Sequence, residues 1–176
     1  KTRIVCNKNN NELFEVAQLL SSDYEKMFGI KLKVEDKISK GGVISLNIVN
    51  NENYGNECYC IDIHENVVIT ANSVRGAIWA TRTILQIAEQ NNQSLPKGRI
   101  IDYPDYEIRS FMLDCGRKFI PIHFLHEYVD FMSYYKMNTF HIHLNDNAFK
   151  QYFDNDWSKT PSGFRLESDY FPGLAS

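Results

Sequence analysis

No uninterrupted apolar run in the 176 residues approaches the roughly 18 that a membrane span requires, so no membrane-spanning helix is expected. Neither sign of charge dominates. The 19 basic and 22 acidic residues leave a net charge of −3, with no local cluster of lysine or arginine. That excludes the basic footprint of a nucleic-acid binder, and no nucleic-acid partner is expected. Cysteine is scarce: Cys6, Cys58, Cys60 and Cys115 do not make a disulfide framework in a chain this long. Cys58 and Cys60 sit two apart in an expected strand and share a face, but a lone C-x-C pair lacks the second pair that a zinc site needs. The cysteines are read as core thiols, and no metal or cofactor is expected. No signal peptide is visible, because Lys1-Thr2-Arg3-Ile4-Val5 already reads as a strand.

What is present is ordinary globular patterning followed by a change of rhythm. A strand near Arg3–Asn7 leads through Asn9-Asn10-Asn11 into a helix whose Leu13, Val16, Ala17, Leu20, Tyr24 and Met27 form one stripe, with Gly29 as its stop. Strands are expected at 31–34 and 43–49, then a hairpin in which Tyr59, Ile61 and Ile63 alternate before Val67-Val68-Ile69. A second helix, capped by Asn72 or Ser73, carries Val74, Ala77, Ile78, Thr81, Leu85 and Ala88 on one face, and a last strand follows at 99–101. The expectation for residues 1–104 is an α+β domain with an antiparallel sheet and two helices on one face. Asp102-Tyr103-Pro104-Asp105-Tyr106 reads as a linker.

Beyond the linker the pattern becomes βαβ. Phe111-Met112-Leu113 ends at Asp114 and Gly116; Pro121 opens a helix carrying Leu125, Tyr128, Val129, Met132 and Tyr135; Asn138 is its expected stop; and 139–144 reads as a second strand running out into the polar Asn145-Asp146-Asn147. Strands joined in this way are parallel, and ligands collect at their carboxyl ends. Asp114, Arg117 and Asp146 stand at those ends.

Arg109, Met112-Leu113-Asp114, Arg117 with Phe119-Ile120-Pro121, Tyr135-Lys136-Met137-Asn138, His141-x-His143-Leu144 and Asp146, in this order and at these intervals, resemble the opening of the catalytic barrel of family-20 glycoside hydrolases, the β-N-acetylhexosaminidases. The run from Ile69 to Ala77, with Thr83-Ile84-Leu85-Gln86, is similar to the small domain that precedes that barrel. The resemblance implies that residues 105–176 are the first βαβ portion of a truncated TIM (β/α)8 barrel, since such a barrel takes about 250 residues. It also implies a glycan partner with a terminal β-linked N-acetylhexosamine. The chemistry would be substrate-assisted retaining hydrolysis, in which the sugar's own acetamido oxygen attacks the anomeric carbon. In the family a neighbouring Asp-Glu pair serves that step. No Asp-Glu pair occurs in this sequence, so no catalytic residue is expected within it, and the chain alone is expected to be inactive.

By the same resemblance Arg109 would fork onto sugar hydroxyls and Asp146 would hold the charge network. Asp114, Arg117, His141, His143 and Arg165 would support the site. The resemblance further implies a secreted, periplasmic or cell-surface protein. Ser110, Lys118 and Asn147 depart from the family's usual glycine, histidine and aspartate. The excursion 148–163 is longer than the family loop, and its Phe149, Tyr152, Phe153 and Trp157 either line an extended subsite or bury one another. Three other readings stand beside this one. A lacto-N-biosidase-like member of the family would take a disaccharide glycone. A metal-dependent barrel hydrolase would use His141 and His143 as ligands. A non-catalytic carbohydrate-binding or assembly module would need no reaction at all. Self-association through an open half-barrel is a further expectation, because two parallel strands cannot cover their own edges.

Overall fold

A computed structural model of the chain describes all residues except 1, 38–41, 52–53, 161, 165–167 and 173–176, with the backbone alone for 162–164. Arg165 lies outside the described residues. The chain divides into two compact units, Lys1–Glu107 and Ile108–Ser176.

The first unit holds β1 (Arg3–Val5), α1 (Asn11–Phe28), β2 (Lys33–Glu35), β3 (Val43–Ile48), β4 (Tyr59–Ile63), β5 (Val67–Ala71), α2 (Val74–Gln90) and β6 (Gly98–Asp102). Its sheet runs β2-β1-β3-β5-β4-β6. The expected antiparallel sheet is corrected to a mixed one. β1 pairs in parallel with β2 and β3, and β3 in parallel with β5, so that β4 alone runs against the rest. Two connections explain the difference. Helix α1 carries the chain from β1 across to β2, which sets the two strands parallel. Of the two hairpin arms it is β5, not β4, that docks on β3, and both arms carry the same alternation of buried residues, so the sequence does not choose between them.

Each helix starts and stops where its local chemistry dictates. Asn10 accepts the Leu13 N–H at 3.0 Å as N-cap of α1, and Gly29 ends the helix in the left-handed region at φ 69°. Ser73 caps α2 by accepting the Gly76 N–H. Asn72, the other expected cap, instead accepts the Asn51 N–H and donates to the Tyr54 carbonyl, both at 2.7 Å, and so ties loop to helix. Leu13, Val16, Ala17 and Leu20 of α1 and Ala77, Ile84, Leu85 and Ala88 of α2 are buried. The two helices pack against each other and the sheet. Burying one such leucine contributes about 2 kcal/mol. Between the helices lies a pair that the apolar stripes did not announce: the buried Arg82 donates to Asp23 at 2.6 Å. Buried Tyr59 donates its hydroxyl to Asp102 and shares a 2.6 Å bond with Thr83; burial, then the Asp102 carboxylate, push its phenol well above the usual range.

None of the four cysteines is in a disulfide. Cys6, Cys58 and Cys115 are buried, as expected of core thiols, but Cys60 is not. Tyr59, Ile61 and Ile63 take the buried side of β4, which turns Cys60 to the other side with Asp62, beside Arg99 of β6.

The second unit contains β7 (Ser110–Asp114), α3 (Ile122–Tyr134), β8 (Thr139–His143), β9 (Asn145–Asn147) and β10 (Ser162–Phe164). β7 and β8 are parallel with Phe111 opposite Phe140 and Asp114 opposite His143. Side chains alternate along a strand. Phe111, Leu113, Phe140 and Ile142 therefore share one face, where Tyr128 of α3 stacks on Phe111 with centroids 5.4 Å apart. Met112, Asp114, His141 and His143 share the other. Helix α3 ends at Tyr134 rather than at Asn138; Lys136 takes the left-handed region at φ 57° and turns the chain into β8. The polar cluster into which β8 runs out is itself a strand. β9 pairs antiparallel with β10, Asp146 opposite Gly163.

Candidate functional site at the carboxyl ends of β7 and β8

The site grows from the end of β7. Asp114 Oδ1 accepts the backbone N–H groups of Gly116 and Arg117, both at 3.0 Å, which folds the chain back on itself directly after the strand. The fold-back brings Arg117 within reach of two carboxylates. Its Nη1 donates to Asp114 Oδ2 and its Nη2 lies against Asp146 Oδ2, each at 2.7 Å. Asp146 Oδ2 also lies 2.7 Å from His143 Nε2, while its Oδ1 accepts the Asn147 N–H. Two strands are thus laced together through one guanidinium. The planar fork of arginine suits that task; a lysine has no second donor in a fixed plane.

Backbone geometry closes the same corner. The Cys115 and Gly116 N–H groups both donate to the His143 carbonyl, at 2.8 and 3.0 Å. Gly116 has no room for a side chain, since a Cβ there would meet the Asp146 amide nitrogen at 2.7 Å. Arg117 stands 5.3 Å over the ring of Phe149, which follows β9 in the chain.

The electrostatics follow the hydrogen bonds. Donation from the Arg117 backbone and side chain holds the Asp114 carboxyl below the usual range. Asp146 is likewise lowered, first by the His143 hydrogen bond and then by the Asn147 N–H and the Arg117 charge. An ionised carboxylate can only accept, so the proton of the His143–Asp146 bond sits on Nε2. Burial raises the neighbouring Cys115 thiol.

The structure therefore brings together four of the seven residues expected at the site: Asp114, Arg117, His143 and Asp146. His141 shares the strand face of His143 two residues earlier and is exposed. Arg109 lies elsewhere. It precedes the first residue of β7, at the end opposite Asp114, and five residues of strand span about 15 Å. There its Nε donates to the Lys136 carbonyl at 2.7 Å, its N–H to Asn138 Oδ1, and its carbonyl accepts the Asn138 and Thr139 N–H groups. Lys136 and Asn138 as partners of Arg109, and Gly116 as a spacer under Asp146, were not singled out from the sequence. Only Gly116 left a signal there, a glycine between two residues that must approach a second strand. Among the described residues no group of three or more His, Cys, Asp and Glu side chains is arranged to hold a metal ion.

The model of glycosyl hydrolase family 20, domain 2, matches residues 1–103, and that of the family's catalytic domain matches residues 106–161. The chain belongs to glycosyl hydrolase family 20. It is 41% identical over 104 residues to a beta-hexosaminidase of Akkermansia muciniphila, covering 57% of this chain and 18% of that protein. Against a beta-hexosaminidase of Porphyromonas gingivalis it is 28% identical over 147 residues, covering 77% of this chain and 19% of that one. The GH20 beta-N-acetylhexosaminidase of Streptomyces coelicolor A3(2) superposes with a TM-score of 0.77 at 29% identity, over 99% of this chain and 34% of that chain. A mutant Streptomyces plicatus beta-hexosaminidase in complex with its product GlcNAc gives 0.75 at 27% identity, over 98% and 33%. The family-20 chain described here thus spans about a fifth of the length of the curated relatives and a third of these solved structures.

Proposed function

We propose that this stretch supplies part of the terminal-sugar site of a β-N-acetylhexosaminidase. In this reading residues 1–104 are the family's small N-terminal domain and residues 105–176 the opening βαβ portion of its (β/α)8 barrel. The observation that carries it is the Arg117 clamp. A guanidinium tying two carboxylates, one of which holds an imidazole, at the carboxyl ends of adjacent parallel strands stands where barrel enzymes keep their chemistry. In a family member the clamp holds Asp146 ionised and fixed in direction, ready to accept from a donor on the sugar. The reaction would be substrate-assisted retaining hydrolysis of a terminal β-linked N-acetylhexosamine. The relatives carry the hexosaminidase name, which favours that activity over release of a disaccharide.

Arg109 has two readings. The resemblance makes it the fork on the sugar's hydroxyls; its bonds to Lys136 and Asn138 favour a clasp that joins the beginnings of β7 and β8.

One assay tests both matters. The 176-residue chain should not turn over a chromogenic β-N-acetylglucosaminide, because its sequence holds no Asp-Glu pair. A full-length family-20 enzyme carrying this stretch should, and Asp146→Ala in it should lower kcat/KM at least about thirtyfold, on the scale for a lost charge contact. Unchanged turnover by a folded Asp146→Ala enzyme would remove Asp146 from the site. Arg109→Ala should cost about thirtyfold to a thousandfold with stability intact if it is the fork; a loss of stability with turnover preserved assigns the clasp.

Self-association belongs to the same reading. Among the described residues β7 and β8 pair only with each other, and their outer edges suit a second copy. Light scattering at rising concentration should show dimers or larger species; a strict monomer would refute it.

A further inference from the structure

Of the four rings expected in the excursion between β9 and β10, Phe153 is half-buried and the other three stand exposed. The base is a ladder, Asn145 opposite Phe164 and Asn147 opposite Ser162. Above it the polar groups bond to one another. The Phe153 and Asn155 N–H groups donate to the Lys150 carbonyl at 2.8 and 3.0 Å, Asp156 Oδ1 accepts the Ser158 N–H and hydroxyl, and Lys159 pairs with Asp154 at 3.0 Å. Asp154 and Asn155 both take the left-handed region, each at φ 56°. The loop's shape is set by its backbone and charges. Phe149, Tyr152 and Trp157 are left 57%, 82% and 60% exposed.

Phe149 and Tyr152 continue from the site, and Lys150, next to Phe149 in the chain, leads on to Trp157. Arg117, which grips Asp146, covers Phe149, and Phe149 meets Tyr152 edge-on at 6.4 Å. Lys150 Nζ stands 5.2 Å from the Trp157 ring. Ring faces interleaved with charged groups are poorly suited to a wide apolar partner, which would have to desolvate Lys150, Asp154, Asp156 and Lys159. They suit a pyranose, whose C–H face packs on a ring while its hydroxyls meet charged donors and acceptors at the edge.

We propose that Phe149, Tyr152 and Trp157 form a stacking subsite for the sugar unit next to the terminal one, with Arg117 as the wall between the two. The proposal rests on the reading of the Asp114, Arg117, His143 and Asp146 corner as the terminal-sugar site, and its test separates the two. Trp79 and Trp157 are the only tryptophans, and Trp79 is 7% exposed, so a ligand-induced change in emission reports on Trp157.

The chain is titrated with N-acetylglucosamine and with its β-linked dimer and trimer, following tryptophan emission and the His143 imidazole resonances. The trimer should shift the emission saturably, at about three- to tenfold lower concentration than the monosaccharide, the range expected of one aromatic contact. Tyr152→Ala should remove that advantage and leave the monosaccharide response at His143 unchanged. If the trimer moves the His143 resonances and not the emission, the terminal site stands and the platform falls. If neither moves, both fall. Equal potency of monosaccharide and trimer, or an undiminished trimer response in Tyr152→Ala, overturns the second subsite. So does an emission shift that follows protein concentration without sugar, which would assign the rings to a second copy of the chain.

Discussion

Gly116 lies so close beneath Asp146 that a Cβ on it would sit 2.7 Å from the Asp146 amide nitrogen and 2.9 Å from the Asn145 carbonyl carbon. Both obstacles are backbone, which cannot rotate aside as a side chain would. Gly116→Ala should therefore push β9 off the end of β7, loosening the Arg117 clamp and costing about 1–3 kcal/mol, the usual range for overpacking. Gly98→Ala is the control, since nothing lies within 4 Å of a Cβ there. Thermal unfolding of the two variants checks this, and equal melting temperatures would refute the close approach.

Asp114 and Asp146 give the clamp a pH dependence of known sign. Both carboxyls are lowered in the folded chain, by Arg117 and by His143 respectively, so each binds its proton more weakly folded than unfolded. Their contribution is then complete above the ordinary carboxylate range, above about pH 5, and is lost as pH falls through the lowered values. Carboxyl carbon shifts titrated from pH 6 to 2 should show both aspartates protonating below the ordinary aspartate range. Arg117→Gln should bring Asp146 partway back toward the ordinary aspartate range, and a midpoint for Asp146 within or above that range in the unsubstituted chain would count against the clamp.

Arg82 and Asp23 join the two helices of the first unit with the arginine 6% exposed and the aspartate 24%. Removing the arginine alone leaves a partly buried carboxylate without its partner, so Arg82→Ala should cost about 2–4 kcal/mol in urea unfolding. Replacing both, as Arg82→Met with Asp23→Leu, should recover most of that loss. A double variant no better than the single one would show that packing around the arginine stem, rather than the charge pair, matters at this position.

Thiol labelling should find one fast cysteine. Burial raises the thiols of Cys6, Cys58 and Cys115 and withholds them from reagent, whereas Cys60 lies partly exposed beside Arg99. Under native conditions one equivalent should react well ahead of the other three, and Cys60→Ser should abolish that phase.

The helices were legible because their signals are local. The apolar stripe and the Gly29 stop can each be read within a few residues, and the structure keeps the stop and buries the stripe from Leu13 to Tyr24, with Met27 half-buried at its end and Asn10, read only as part of a polar turn, serving as the cap. Strand partnership was not legible, because alternation tells which residues face inward and says nothing about direction. Cys60 was misassigned for a related reason: in a strand a residue's side depends on its neighbours' parity, and Tyr59 and Ile61 had already claimed the inside. At the candidate site the residue types Asp114, Arg117, His143 and Asp146 were legible, while the spacing that joins them depends on a register between β7 and β8 that no single segment contains. Arg109 shows the converse. Its place in a motif said nothing of the Lys136 carbonyl that its Nε meets, since that carbonyl is aimed by a left-handed turn 27 residues downstream.

The single reversed strand in the first unit dictates an order of assembly. β4 and β5 are neighbours in the chain, joined through His64–Asn66 and zipped from Ile63 opposite Val67 to Tyr59 opposite Ala71, so their loop is cheap to close. β3 finds its partner β5 only from Ile44 across to Val67, and β1 must reach from Arg3 to Val43. Contacts so far apart in sequence form late. The hairpin is thus expected to exist as a seed on which β3 and then β1 crystallise one by one, and substitutions in its turn should slow refolding more than substitutions in β1.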